Sequence, residues 1–84
     1  MGLYRRDRST LESVASQLNT QPNSEIKATG LRSLGNMYRA IGELDKSAEI
    51  LQQSLAVAEA VASPSAIAAA QLSLGNNATD IYKI

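Results

Sequence analysis

An all-α fold of about four antiparallel helices, arranged as repeated helical hairpins, is predicted by three features of this 84-residue chain. A block of sequence returns after forty positions. Apolar residues recur at helical spacing, and no stretch alternates as a strand does. The apolar content, 44% of the residues, is small in size: it includes thirteen Ala and three Tyr, with no Phe and no Trp. Such side chains favour close helix–helix approach over a sheet core, which draws on β-branched and aromatic residues. The length fits one domain, residues 1–84, with a thin core.

The repeat is the organising signal. Ser33-Leu34-Gly35-Asn36 recurs unchanged as Ser73-Leu74-Gly75-Asn76. The same offset places Leu11 on Leu51, Ala28 on Ala68 and Ile41 on Ile81. It also sets Val14-Ala15 over Ser54-Leu55 and Leu18 over Ala58, keeping small or apolar character at each.

Four helical segments follow from periodicity and stop signals. In the first, over 7–20, Leu11, Val14, Ala15 and Leu18 form an apolar stripe. Asp7 or Ser9 is the expected cap, and Asn19-Thr20-Gln21-Pro22-Asn23 ends the helix. The second begins near Ser24, carries Leu31, Leu34, Tyr38 and Ile41 on one face, and ends at Gly42, a C-cap residue suited to left-handed backbone. The third has two stripes, one through Leu44, Ala48, Leu51, Leu55, Ala58 and Ala62 and one through Ile50, Val57 and Val61, so it needs neighbours on two sides. Ser63-Pro64 then supplies an N-cap with proline at the first helical position. The fourth, over 64–84, places Ile67, Ala70, Leu74, Ala78 and Ile81 on one face.

The composition excludes several function classes. Without His or Cys there is no serine–histidine triad, no cysteine nucleophile, no disulfide and no ordinary zinc site. Ten serines lack a visible base or a nucleophile elbow, so no catalytic residue, no enzymatic activity, no metal and no cofactor are expected. Eight basic residues balance eight acidic ones, and Arg5-Arg6-Asp7-Arg8 is the single basic cluster, so nucleic acid is not an expected partner. Glu43, Asp45 and Glu49 gather where they complement a helix N-terminus. The longest wholly apolar run, Ala66 to Ala70, is far shorter than a membrane span of about 20 residues. The N-terminus has no signal-peptide core, so a cytoplasmic protein without a membrane partner is expected.

Leu34-Gly35, Tyr38, Gly42, Ser47 and Ser54 stand in a pattern that resembles the tetratricopeptide repeat family. The forty-residue period is similar to the long-helix variant of kinesin light chains and spindle-orientation adaptors, and to repeats that precede caspase-like domains in bacterial proteins. The resemblance covers 24–63 as a complete repeat and 64–84 as the first helix of a next one. It makes 7–20 the second helix of a partial repeat, and Ala78 stands where Tyr38 has its counterpart. It implies an α-solenoid fragment that binds a protein or peptide along a groove formed by its first helices.

On that groove the resemblance places Arg32, Asn36, Arg39 and Asn76 as peptide-binding residues. Asn36 and Asn76 are an amide ladder able to donate to and accept from a peptide backbone, and Arg32 is a cation for a carboxylate. The next repeat offers Leu72 and Thr79 in place of the arginines, and a solvated face with no ligand is the competing reading of these residues. Gly35 and Gly75, each costing about 1 kcal/mol within a helix, are expected to mark close helix crossings, with Tyr38 as a third packing residue. Gly30, aligned with Ala70, has no explanation in the sequence. A spacer or a self-associating bundle is the alternative function. The apolar faces of the terminal helices imply end-to-end self-association or a place within a longer array.

Overall fold

The structure, a computed structural model, describes the backbone of residues 2–82 and the side chains of residues 9–79. The side chains of Arg5-Arg6-Asp7-Arg8 and of Ile81, and Ile84 altogether, lie outside those limits. Among the described residues the chain forms four helices and no strand: α1 (Gly2–Asn19), α2 (Glu25–Ala40), α3 (Leu44–Ala60) and α4 (Pro64–Tyr82). α1 begins at Gly2, so the helix predicted over 7–20 starts earlier, and neither Asp7 nor Ser9 is its cap. Nothing between Gly2 and Asp7 breaks a helix, and that is why the stop signal at 19–23 was clear while the start was not.

Each later boundary has a local cause. Ser24 caps α2 by accepting from the Lys27 N–H at 3.0 Å. Ser63 caps α4, accepting from the Ala66 N–H at 3.4 Å with Pro64 as the first helical residue. The ends of α2 and α3 close in the same way. The Glu43 N–H reaches the Tyr38 carbonyl at 2.9 Å and the Gly42 N–H reaches Arg39 at 3.0 Å; Ser63 to Ala58 and Ala62 to Glu59 repeat this at 3.1 Å each. That double closure requires a left-handed residue, which is Gly42 at φ 84° in one turn and Ala62 at φ 53° in the other.

Three-residue turns make α2–α3 and α3–α4 antiparallel neighbours. α2 and α4 also pack side by side, whereas α1 and α3 both pack on α2 with their own backbones farther apart. The Cα atoms fill 41 × 31 × 14 Å. The short dimension matches two helix layers, with axes about 8–10 Å apart and a Cα radius of about 2.3 Å on each side. One layer holds α2 and α4, the other α1 and α3.

The core centres on α2 and α3. Leu31, Leu34 and Tyr38 of α2 and Ile50, Leu51 and Ala58 of α3 are at most 2% exposed, as the periodicity predicted. Contact is close because Gly35 faces Leu51: a Cβ on Gly35 would lie 2.7 Å from both Cγ and Cδ2 of Leu51. The two helices are also stitched by buried serines. Ser47 Oγ donates to the Gly35 carbonyl and Ser54 Oγ to the Ala28 carbonyl, each at 2.7 Å. Ser47, Leu51 and Ser54 share one stripe of α3, so two hydroxyls and one leucine fit against a glycine and an alanine seven residues apart.

Two expectations need correction, and one open position finds its explanation. Gly75 is not a packing site among the described residues: no atom lies within 4 Å of a Cβ built there, because no described helix covers the face of α4 that corresponds to the α3-facing side of α2. The buried stripe of α4 is not Ile67–Ala70–Leu74–Ala78. Ala78 is exposed, and burial follows Ala70, Ser73 and Asn77, with Ile67 and Leu74 half-buried beside them. Asn77 turns inward because its Nδ2 donates to the Leu44 carbonyl at the start of α3, at 3.2 Å. Gly30, finally, has a reason: a Cβ there would meet Leu18 Cδ2 at 3.0 Å. In the second hairpin the counterparts of Leu18 and Gly30 are Ala58 and Ala70, both fully buried, so one interface pairs large with none and the other small with small.

Candidate functional site

The layer of α2 and α4 carries a shallow cleft of about 210 Å³ between the N-terminal halves of the two helices. Glu25, Ala28, Thr29 and Arg32 line it from α2, and Ser65, Ala66 and Ala69 from α4. The cleft exists because its walls are short side chains: three alanines, a serine and a threonine leave unfilled the space that larger residues would close. The serine caps at Ser24 and Ser63 fix both N-terminal turns, which bring Glu25 and Ser65 to the cleft.

Chemically, this arrangement offers one guanidinium, one carboxylate and two hydroxyls alongside three alanines. Arg32 is able to hold a carboxylate with paired N–H donors. Thr29 and Ser65 are able both to donate and to accept, which matches the alternating groups of a peptide backbone. On the other face of α2 the preceding turn is anchored, since the buried Lys27 Nζ donates to the Gln21 carbonyl at 2.8 Å.

Of the residues singled out from the sequence, Arg32 alone lines this cleft. Asn36 and Arg39 lie farther along α2, half-exposed, and Arg39 occupies the last turn, where a cation complements the helix dipole. Asn76 is exposed on α4 and matches Asn36 in register but not in burial. Glu25, Thr29, Ser65 and Ala69 went unnoticed because the repeat directs attention to shared positions, and these belong to a junction between repeats. Asn77, the buried amide, was hidden behind its neighbour Asn76, whose match to Asn36 was the visible signal.

The opposite layer carries a more polar groove between α1 and α3, with Glu12, Ser16, Lys46 and Gln53 along its sides and Tyr38 in its lining. Lys46 pairs there with Glu49 at 3.4 Å, an i,i+3 contact on the surface of α3. Among the described residues no group of three or more acidic side chains is placed to hold a metal ion. No helix of the described residues is long and apolar enough to cross a membrane. No family model matches the chain, and no significant match was found to it among curated proteins or solved structures.

Proposed function

We propose that this chain is a protein-interaction module, built as a tetratricopeptide-like helical repeat, which binds an extended peptide along the layer of α2 and α4. The observation that carries this reading is the α2/α4 cleft itself, which Arg32 lines together with Thr29, Ser65 and three alanines. Asn36 and Asn76 extend the same layer toward the C-terminal ends of the two helices and supply further amide groups for a backbone. The α2–α3 hairpin supports the family part of the proposal. Leu34 and Tyr38 in the core, Gly35 under Leu51, Gly42 in left-handed backbone, and Ser47 and Ser54 bound to α2 carbonyls give each residue of the resemblance a structural role.

Fluorescence polarisation with a pool of short unstructured peptides, acidic and neutral, tests the reading. Weak saturable binding that favours the acidic members is expected, reduced by Arg32→Ala and more mildly by Asn36→Ala and Asn76→Ala. Absence of saturable binding to any member would leave the alternative, a spacer or self-associating element. That second reading has its own observation: Val14, Ile26, Met37 and Leu72 are large apolar side chains at the surface, between 37% and 80% exposed.

A further inference from the structure

The forty-residue shift that carries α2 onto α4 also carries α3 onto α1 and α4 onto α2, if the second member of each pair is taken from another copy of the chain. The way α2 packs on α3 and α4 therefore describes how α4 of one copy would pack on α1 and α2 of the next. Three pairs of positions show how well the surfaces answer this operation.

The first is a knob and its hole. Leu51 fills the space over Gly35. Their counterparts are Leu11 and Gly75: Gly75 has open space above it, and Leu11, a core residue 7% exposed, forms part of the wall of an apolar trough of about 360 Å³ between α1 and α2. The second is the serine contact. Ser54 meets the backbone of Ala28, and the counterparts are Val14, in the same trough, and Ala68, exposed on α4. A valine facing an alanine replaces the hydroxyl with an apolar contact. The third pair is the most telling. Arg32 and Ala66 line the cleft between α2 and α4, and their counterparts are Leu72 and Ile26. These are the two most exposed large apolar side chains among the described residues, at 67% and 80%. An arginine and an alanine inside the chain thus become a leucine–isoleucine pair between chains.

We propose that the exposed face of α4, through Ala68, Leu72 and Gly75, docks into the α1/α2 trough of a second copy of this chain, in the register of the internal α2–α3–α4 packing. The interface continues one the chain already contains, and it joins two different surfaces. Association is therefore head-to-tail, so the copies add one after another rather than closing as a symmetric pair. It does not depend on a peptide occupying the α2/α4 cleft.

Two single variants test it. Leu72→Glu spoils the α4 face and leaves the trough intact; Ile26→Glu spoils the α2 position that would face Leu72, on the stripe that continues into the trough through Gly30, Ser33 and Met37, and leaves the α4 face intact. Both positions are exposed, so both variants keep their helices, which circular dichroism verifies. Sedimentation velocity across a hundredfold dilution should give a mass that rises with concentration for the unaltered chain, and the monomer mass of 8.9 kDa for each variant alone. An equimolar mixture of the two variants should reach twice that mass and grow no further, since one competent face of each kind remains. A monomeric unaltered chain at every concentration, a variant that assembles alone, or a mixture that stays monomeric would overturn the proposal.

Discussion

Alanine at position 35 and alanine at position 75 are chemically the same change in the two copies of one tetrapeptide, yet they should move stability in opposite directions. Each gains about 1 kcal/mol of helix propensity over glycine. At Gly75 nothing opposes the gain, because no atom lies within 4 Å of the new methyl. At Gly35 the methyl would sit 2.7 Å from Cγ and Cδ2 of Leu51, where carbon atoms are comfortable at about 3.5–4.0 Å. Leu51 is 0% exposed and the Ser47 carbonyl lies at 3.4 Å, so neither side has room to yield. Over-packing of this kind costs about 1–3 kcal/mol. The two variants should thus differ by about 1–3 kcal/mol, with Gly75→Ala above the unaltered chain and Gly35→Ala at or below it. In a domain of this size about 1 kcal/mol moves the melting temperature by about 4–8 °C. Melts followed by circular dichroism at low protein concentration read the difference directly. Equal melting temperatures for the two variants would refute the close crossing of α2 and α3.

The remaining predictions concern the turns, the serines and the first interface. Ala62→Gly should raise stability by about 0.5–1 kcal/mol, because a left-handed alanine costs about 1–2 kcal/mol and glycine's extra unfolded-state entropy returns only part of it; Gly42→Ala should lower stability, and thermal melts of both decide the matter. Ser54→Ala should cost about 0.5–1.5 kcal/mol through loss of the buried bond to the Ala28 carbonyl, and an unchanged urea midpoint would mean that the bond is not made. Gly30→Ala should stabilise more in a Leu18→Ala background than in the unaltered chain, because Leu18 is what the new methyl meets; strict additivity in that double-mutant cycle would place Leu18 elsewhere.

Much of the architecture was legible because it is written in period and punctuation. The stripe through Leu31, Leu34 and Tyr38, the caps at Ser24 and Ser63, and the left-handed Gly42 are local signals with local causes, and each has its expected role. The failures are tertiary. α4 is so rich in alanine that its pattern barely distinguishes one face from another, and the choice fell to the polar Asn77, which reaches an α3 carbonyl. Gly35 and Gly75 carry the same residue in the same local sequence, but only one has a helix above it. Gly30 becomes intelligible only when Leu18, twelve positions away, is seen to lean over it. The candidate site was half visible: Arg32 was singled out, but its companions Glu25, Thr29 and Ser65 come from the approach of two helices, which no single stretch of sequence encodes.

Backbone amide chemical shifts of the isotope-labelled chain, recorded while a short acidic unstructured peptide is added, test the interaction reading most directly. The account predicts saturable shifts concentrated at Thr29, Arg32, Ser65 and Ala69, weakened by Arg32→Ala, with α1 and the outer face of α3 unmoved. Shifts that gather instead on the α1/α3 groove, or a spectrum that does not change at any peptide concentration, would contradict it.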